Sequence, residues 1–280
     1  MKKLVINADD YGLCESVNRG ILECFQNGLV SDFSFMINLQ EFEKASSLLA
    51  ETGVNEIGFH LNLTVGRSVL DSKTELTDNE GNFFNLKTLF LKIMGRKISD
   101  QDIYQEIFAQ LDLLVSHDYK ITHIDSHTNI HTLPQIMKPL LRAIKNLGLN
   151  VPIRMPYEGR LSFSSLTIKN MIRITLLNLL TLNSRLFTKY HGPVRTIGGN
   201  FFDNPESEIV FTEILDRIKK SAFNQFELAV HPGYPSDELL KYDSYYDQRA
   251  AELNFLLKNA PVFQESWLKI CRFHELSNDN

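Results

Sequence analysis

Four short stretches of the sequence bring together residue types that bind metal ions and move protons. They read Asn7-Ala8-Asp9-Asp10-Tyr11-Gly12, Gly58-Phe59-His60-Leu61-Asn62-Leu63, His123-Ile124-Asp125-Ser126-His127-Thr128-Asn129-Ile130-His131 and Ala229-Val230-His231-Pro232-Gly233. Five of the eight histidines lie in these stretches. A charged carboxylate or imidazole is costly to bury alone, and a shared metal ion is an economical partner for several of them. The combination therefore indicates a metal site with proton-transfer groups beside it.

The spacing within the stretches indicates which side chains share a face. His123, Asp125 and His127 recur at every second position, which places all three on one face of an extended chain. The side chains of Asp9 and Asp10 point to opposite faces in a regular strand, but at the end of a strand both can face one cavity. One of them could then bind a metal ion while the other takes a proton from water.

Three histidines are ambiguous when each is considered alone. His60 fits a buried core position as well as a site position, and His231, which precedes Pro-Gly, fits a plain turn. His131 could orient a metal ligand from behind. A position at the end of a predicted strand favours the site for both His60 and His231.

The secondary structure predicted around these stretches is that of a parallel α/β protein. Hydrophobic periodicity predicts strands at 4–6, 30–37, 56–63, 121–125, 151–155 and 227–230 and helices at 15–26, 41–51, 101–115, 134–147, 206–222 and 246–258, with a helix-rich region up to residue 187. Alternation of strands and helices indicates βα units around a mainly parallel sheet. Such folds bind ligands at the carboxyl ends of their strands, which is where the four stretches fall.

One domain over residues 1–280 is the predicted organisation, because no linker or internal repeat divides the chain. A length of 280 residues suits a single α/β barrel, which often has about 250 residues. Residues 64–99 interrupt the alternation with Gly66, Asn79, Gly81 and Asn82 between short apolar patches. This segment is either an insertion that forms a lid over the site or a long surface excursion.

Composition and charge limit which binding partners and which cellular compartment are expected. The chain is 43% hydrophobic and 22% charged, with a net charge of −5, so a general electrostatic attraction to nucleic acid is not expected. Cys14, Cys24 and Cys271 show no redox or metal-binding spacing. Three such cysteines predict reduced thiols in a cytoplasmic protein.

No membrane segment is predicted. The apolar run before Asp9 is too short for a signal peptide, and residues 171–182 are too few and too polar to span a bilayer. Apolar helix faces within 168–187 would suit either a homo-oligomer contact or the outer ring of a barrel.

The four stretches, in this order over nearly the whole chain, resemble those of the YdjC-like carbohydrate deacetylases. This family includes the chitooligosaccharide (chitin disaccharide) deacetylases. The resemblance implies a distorted (β/α) barrel related to the polysaccharide deacetylases. It also implies a metal-dependent hydrolase that releases acetate from the N-acetyl groups of amino sugars or short N-acetylglucosamine oligosaccharides, free or phosphorylated.

The resemblance further implies individual roles. Asp10, His60 and His127 would hold one divalent cation, Asp9 would be the general base and His231 the general acid. The remaining candidates would bind substrate or support the ligands, and they are His123, Asp125, His131, Arg154 and Arg249.

Three positions outside the implied ligand set have a less certain place in the site or differ from the family. Arg154 lies in a segment, 151–156, that is similar to one lining the site in the family, whereas Arg249 in the last predicted helix fits a surface position equally well. The family often reads His-x-Asp-Ser-His-x-His-x-His, and Asn129 stands where the middle of the later histidines would be. This difference is compatible with a changed substrate preference, and the three implied ligands remain.

The metal and the reaction have alternatives at this point. Two imidazoles and one carboxylate suit Zn²⁺, and also Mn²⁺, Co²⁺ or Fe²⁺, while the resemblance keeps Mg²⁺ among the candidates. A metal phosphoesterase would use further ligands, such as His123 and Asp125, for a second metal ion. A carbohydrate-binding protein without catalytic activity would keep the fold, and Asn129 is the one hint toward it. Metal stoichiometry and acetate release would distinguish these functions.

Overall fold

The computed structural model describes residues 1–39, 42–70, 73–156, 168–185, 195–198, 207–259 and 265–276. Within these ranges, seven strands form one sheet and eight α-helices accompany it. The strands are β1 (Lys2–Tyr11), β2 (Asp32–Phe35), β3 (Glu56–Leu61), β4 (Lys120–Ser126), β5 (Arg195–Gly198), β6 (Gln225–Val230) and β7 (Leu268–Ile270). The helices are α1 (Glu15–Gln26), α2 (Phe42–Ala50), α3 (Leu86–Met94), α4 (Asp100–Ser116), α5 (Pro134–Asn146), α6 (Ile168–Arg185), α7 (Ser207–Lys220) and α8 (Tyr246–Lys258).

The sheet has the order β4-β3-β2-β1-β6-β5, and the strand pairs of the described chain are parallel. β7 pairs with the first residues of β1, from Lys2 to Leu4, whereas β2 pairs with later residues of β1. Ile124 of β4 bridges to Ile153, which extends the sheet by one further segment. Because the strands are parallel, their carboxyl ends lie at one edge of the sheet.

The sheet is strongly curved. β1 and β4 are separated by two strands, which at about 4.8 Å per step would put them roughly 14 Å apart in a flat sheet. Nevertheless, Asn7 Nδ2 of β1 lies 3.5 Å from Asp125 Oδ2 of β4. The predicted α/β fold with a parallel sheet is confirmed, and the curvature agrees with the predicted barrel.

Apolar residues on both sides of the sheet form the core. Leu4, Val5 and Ile6 of β1 are fully buried, as expected for a parallel strand that is covered on both faces. Helix α1 is amphipathic, and it buries Val17 and Ile21 on the face that joins the main hydrophobic cluster. That cluster includes side chains from β1, β2, β3, β4, β6 and β7 and holds most of the buried apolar residues of the described chain. Packing against it fixes the strand ends from which the polar residues project.

Most predicted elements occur where the sequence places them, and the helices predicted at 15–26 and 246–258 coincide with α1 and α8. The predicted first strand ends at residue 6, but β1 continues to Tyr11, because the polar side chains of its second half find buried partners. Residues 151–155 form an isolated bridge at Ile153 instead of the predicted strand. The sequence also misses β5 and β7, which have four and three residues and are too short to show periodicity.

The segment at 64–99 is partly ordered by its own contacts. It contains α3 and two antiparallel bridges, Arg67 to Asn82 and Thr77 to Phe83. Helix α3 exposes Phe90, Leu91 and Met94 to solvent. The lid function of this segment and the single-domain organisation both stay predictions.

Helix α6 covers Ile168–Arg185, and the rest of the predicted helix-rich region, at 157–167 and 186–187, lies outside the described residues. The helix exposes Leu176, Leu179 and Leu182. These side chains are available for a contact between copies, and the homo-oligomer stays a prediction. In the described part of the chain, no helix combines the length and the apolar character that a membrane span needs.

Candidate active site

The end of β1 directs two adjacent carboxylates into one cavity. Asp10 has a φ of 71°, a left-handed conformation that is uncommon outside glycine but tolerated by Asp. The pairing of β1 with β2 shifts register between Ala8 and Tyr11, so the regular alternation of side chains is broken at this point. Gly12 follows with a φ of 95°, and a Cβ there would lie 2.2 Å from the carbonyl oxygen of Met36. The irregular strand end therefore lets Asp9 and Asp10 line the same cavity.

Asp10 lies between two imidazoles. Its Oδ1 is 2.9 Å from His60 Nε2 and 2.8 Å from His127 Nδ1. The three ligand atoms that these residues offer all lie within 4.8 Å of one another. His60 Nε2 is buried and has no hydrogen-bond partner among the described residues, although Asp10 is close. One carboxylate oxygen and two imidazole nitrogens so arranged fit the donor set of a divalent transition metal.

Electrostatics at this cluster also favour a positive charge. Burial by itself would lower the pKa of His60, but Asp125 and Asp10 raise that pKa to about 10. Burial would raise the pKa of Asp10, but His127 and Arg249 hold that pKa well below its usual value. The carboxylates of Asp10 and Asp125 thus attract positive charge to this cluster. A divalent cation held by Asp10, His60 and His127 would supply that charge.

Asp125 orients His60 from behind. Its Oδ1 lies 2.7 Å from His60 Nδ1, and Ser34 Oγ lies 3.0 Å from the same nitrogen. Asp125 Oδ2 accepts a hydrogen bond from Ser34 Oγ at 2.9 Å and forms an ion pair with Arg154 Nη2 at the same distance. Carboxylates that hold the far nitrogen of a metal-binding histidine fix the ring and its tautomer. This arrangement leaves His60 Nε2 free to face Asp10.

Arg154 holds Asp9 and two further acids. Its Nη1 and Nη2 donate to the two oxygens of Asp9 at 2.6 and 2.8 Å, and its Nε donates to Glu227 Oε1 at 2.7 Å. Arg154 is 2% exposed and Glu227 is fully buried. Burial would lower the pKa of Arg154, but Asp125, Asp9 and Glu227 raise it well above its ordinary value. Each of the three guanidinium nitrogens has a carboxylate partner, and Arg154 is saturated in this sense.

The carboxylate partners of Arg154 also indicate how many metal ions the site can hold. Asp9, His60 and Asp125 form a second group whose ligand atoms lie within 4.8 Å of one another. Arg154 is bonded to both carboxylates of that group. A guanidinium already supplies positive charge to both carboxylates of this group. Asp10 instead gives only Oδ2 to an arginine and turns Oδ1 toward the two imidazoles, so the group of Asp10, His60 and His127 fits a metal ion better.

His231 follows β6 and is held by α8. Its Nε2 lies 3.9 Å from Asp9 Oδ2, and its Nδ1 lies 3.6 Å from Glu252 Oε1. Its backbone N–H donates a short hydrogen bond to Glu252 Oε2, and the hydroxyl of Tyr245 donates to Glu252 Oε1 at 2.8 Å. Burial would lower the pKa of His231, but Glu252 and Asp9 raise it above the ordinary value. A histidine in this setting can carry a proton in the cavity.

Close backbone packing holds the turn after His231. A Cβ on Gly20 of α1 would lie 2.8 Å from Gly233 Cα. Gly233 N also donates to the carbonyl oxygen of Arg249 at 3.3 Å. The turn is therefore fixed between α1 and α8.

Arg249 contacts the other side of Asp10. Its Nη2 donates to Asp10 Oδ2 at 2.5 Å and to Asp243 Oδ2 at 2.6 Å, and its Nε donates to Asp243 Oδ2 at 2.8 Å. The side chain is 1% exposed. The surface position that the sequence left open for Arg249 is therefore wrong, because α8 turns this residue toward the cavity.

Several of these side chains line a cavity of about 420 Å³. Asp9, Asp10, His60, His127 and His231 all contribute to its wall. Leu86 of α3 and Leu177 of α6 are the apolar contributions from two helices. This size is within the usual range for small-ligand sites.

Comparison with known proteins agrees with this geometry. Residues 3–264 match the family of YdjC-like proteins. The chain belongs to that family. A carbohydrate deacetylase of Brevibacillus brevis is 30% identical over 259 residues, which cover 91% of this chain and 90% of the relative. A chitooligosaccharide deacetylase of Yersinia enterocolitica is 29% identical over 266 residues, which cover 95% and 94% of the two chains.

A solved structure has the same fold as this YdjC-like protein. It is the crystal structure of a candidate cellobiose-phosphate cleavage protein from Enterococcus faecalis V583. The two superpose with a TM-score of 0.77 over 99% of both chains, at 21% sequence identity.

Two histidines of the YdjC-like protein lie behind the cavity. His131 is buried, and burial lowers its pKa to about 4, so it is neutral. Its Nε2 donates to the carbonyl oxygen of Arg154 at 2.7 Å, and its Nδ1 accepts from Ser126 Oγ at 2.5 Å. His131 thus holds the segment that carries Arg154.

His123 packs beneath the sheet's polar residues. Its ring stacks on Phe273 at a centroid distance of 3.8 Å, and its Nε2 lies 3.7 Å from Asp125 Oδ2. A Cβ on Gly58 would lie 2.3 Å from this ring, so the neighbouring strand needs glycine here. Of the three residues predicted to share one face, His123 and Asp125 lie together below the site, while His127 begins a 3-10 turn and reaches the cavity.

Asn129 lines the cavity beside Thr128. Their φ angles are 56° and 55°, so both residues hold a left-handed conformation that is costly outside glycine. The sequence singled out Asn129 only because it differs from the family, and its place in the cavity wall makes it a candidate contact for substrate.

Several functional neighbours escape the sequence patterns. They are Ser34, Glu227, Asp243, Tyr245 and Glu252. Glu227 offers a signal, because a lone acid in an otherwise apolar predicted strand needs a buried partner. Glu252 and Asp243 offer none, since acids in helices and loops are usually solvated.

Proposed function

We propose that this protein is a metal-dependent hydrolase that removes the N-acetyl group of an acetylated amino sugar or short oligosaccharide and releases acetate. The observation that carries the proposal is the convergence of Asp10, His60 and His127 on one wall with Asp9 and His231 beside them. The names of the carbohydrate deacetylase and chitooligosaccharide deacetylase relatives support the substrate class.

The chemistry divides between a metal ion and two protein groups. A divalent cation held by Asp10, His60 and His127 would act as a Lewis acid toward water and the acyl oxygen. Asp9 accepts a proton from the attacking water, and Arg154 keeps this carboxylate in place through both of its oxygens. His231 donates a proton from Nε2 to the sugar nitrogen as the carbon–nitrogen bond breaks. The donor types suit Zn²⁺, Mn²⁺, Co²⁺ or Fe²⁺ better than Mg²⁺.

The position of His231 supports its role as the acid. Its Nε2 lies 3.9 Å from Asp9 Oδ2, so the base and the acid face one reacting group from neighbouring strands. Glu252 lies behind the other ring nitrogen and favours the protonated form. The arginine beside Asp9 and the carboxylate behind His231 thus place opposite charges next to the two groups that exchange protons with the substrate.

A phosphoesterase with two metal ions has less support. Its second ion would need the group of Asp9, His60 and Asp125, and Arg154 is bonded to both of these carboxylates. His123, the other ligand that such a site would need, stacks on Phe273 beneath the sheet. A non-catalytic binding protein would not require the proton-transfer pair of Asp9 and His231.

The test is acetate release from N-acetylglucosamine and its short oligomers, free and 6-phosphorylated, with Zn²⁺, Mn²⁺ or Mg²⁺ added and with a chelator as control. We expect metal-dependent release from at least one substrate. Asp9→Asn should lower turnover by about 10²- to 10⁴-fold, the usual contribution of a general base, while the metal content per chain stays near that of the unmodified protein. Asp112→Asn, at an exposed position of α4, is the matched control and should leave turnover unchanged. Absence of release from all of these substrates, in protein that holds its metal, would contradict the proposal.

A further inference from the structure

Two buried arginines line the cavity, and they differ in how many of their nitrogens are bonded. Arg154 uses Nε, Nη1 and Nη2 in bonds to carboxylates. Arg249 uses Nε and Nη2, whereas its Nη1 is buried without a hydrogen-bond partner in the described part of the chain. A charged donor left unpaired inside a protein is destabilising, and such exceptions call for a physical explanation.

The position of Arg249 indicates what could satisfy that nitrogen. Asp10 offers Oδ1 to the two imidazoles and Oδ2 to Arg249. The guanidinium and the candidate metal site therefore flank one carboxylate, and a ligand that reaches the site from the cavity arrives next to both. Asp243 fastens the other edge of the guanidinium through two bonds, so Arg249 is held in place before any ligand binds.

The charges of the cavity wall favour an anionic or strongly polarised oxygen. Three carboxylates, of Asp9, Asp10 and Asp243, and two guanidinium groups line the cavity. Their formal charges sum to −1, and a divalent cation would change the sum to +1. Hydrolysis of an acetamide develops negative charge on the acyl oxygen and ends in a carboxylate. A preorganised cationic donor beside such an oxygen stabilises it strongly.

We infer that Arg249 Nη1 is the donor that binds an oxygen of the acyl group, in the reaction and in the carboxylate product. This inference rests on the proposed deacetylase function. It gives Arg249 a direct contact with substrate in addition to its bond with Asp10. Arg154, which has no unbonded guanidinium nitrogen, has only the positioning of acids as its role.

Acetate itself is the probe. The binding of acetate to the metal-loaded protein is measured by titration calorimetry and as the competitive inhibition constant in the deacetylation assay. In Arg249→Gln we expect acetate to bind at least about tenfold more weakly, the loss of one charge-assisted bond, with metal content per chain measured in the same samples. Arg249→Lys keeps a positive charge near Asp10 but has no nitrogen at the position of Nη1, so it should also weaken acetate binding. This variant provides the test if Arg249→Gln does not fold.

Arg19→Gln is the matched control, because it removes an exposed arginine of α1 that pairs with Glu15 and lies outside the cavity wall. Acetate binding should change less than about threefold in this variant. Acetate affinity that is unchanged in both Arg249 variants, or that falls only in proportion to lost metal, would overturn the inference while the deacetylase function stands. An unmodified protein that neither releases acetate nor binds it would overturn both.

Discussion

Asp9 and Asp10 are neighbours in the chain, and each contacts its own buried arginine, yet the two carboxylates have different surroundings. Both oxygens of Asp9 accept from Arg154. Asp10 gives one oxygen to Arg249 and turns the other toward His60 and His127. The difference follows from the backbone, because the left-handed φ of Asp10 rotates its side chain out of the regular alternation. An irregular strand end thus gives two identical residues different partners side by side, an arginine for Asp9 and an arginine with two imidazoles for Asp10.

The strongest test of this difference is the pair Asp10→Asn and Asp9→Asn. Loss of the Asp10 carboxylate should remove the metal from most chains and lower turnover by about a thousandfold or more, since metal-ion catalysis contributes several kcal/mol and each tenfold in rate is about 1.4 kcal/mol. Asp9→Asn should lower turnover and retain the metal. Elemental analysis of both variants after the same purification measures this contrast. Equal metal loss in the two variants would show that the acids share one role.

Arg154→Gln tests the saturated arginine. This change leaves Asp9, Asp125 and Glu227 buried without their common partner, and we expect the free energy of unfolding to fall by about 3–5 kcal/mol, as when one member of a buried ion pair is removed. Urea unfolding gives the value. Arg249→Gln should cost less, because Arg249 has two carboxylate partners and Arg154 has three.

A double variant separates charge from packing in this comparison. Adding Glu227→Gln to Arg154→Gln removes one of the unpaired charges and should recover part of the lost stability. No recovery would indicate that the guanidinium acts through its packing alone.

The sequence predicts well which strand ends carry the polar motifs, and it fails where long-range contacts decide. The motifs around His60 and His231 lie at carboxyl ends of β3 and β6 as expected, because apolar runs next to turn residues define strands locally. The place of Arg249 depends on which face of α8 meets the sheet. The role of Glu227 depends on Arg154, which is distant in the chain. No local pattern carries such information.

Within the site, too, local spacing is informative along a strand and fails where the chain turns. Spacing at period two groups His123, Asp125 and His127, but β4 ends at Ser126 and the chain turns at His127. Because the turn contains two left-handed residues, Thr128 and Asn129, periodicity cannot continue through it. Only the structure separates the residue that reaches the cavity from the two that support it.

Glu252→Gln should have the smallest effect, and it acts on the pH dependence of the reaction. Glu252 and Asp9 raise the pKa of His231 above its ordinary value, so the imidazole keeps its proton to higher pH and loses it as the pH rises through the raised pKa. Removal of the Glu252 charge lowers that pKa. The pH above which kcat declines should therefore move down in the variant. At alkaline pH, kcat should fall by about tenfold, less than the roughly 10²-fold or more that loss of a general acid costs, because His231 remains and only its protonated fraction falls. Little change is expected at lower pH.

Tyr245→Phe sharpens the same prediction. The hydroxyl of Tyr245 donates to Glu252 Oε1, and its removal keeps the carboxylate and its charge. The decline of kcat should therefore stay where it is in the unmodified protein, or move to higher pH, because Glu252 then has one donor fewer to compete with His231 Nδ1. A downward shift in Tyr245→Phe equal to that in Glu252→Gln would mean that the geometry of the His231 turn controls the titration. A shift in Glu252→Gln alone would mean that the charge of Glu252 controls the titration of His231. The acid would then depend on a neighbouring carboxylate, whereas the base, Asp9, is held by an arginine.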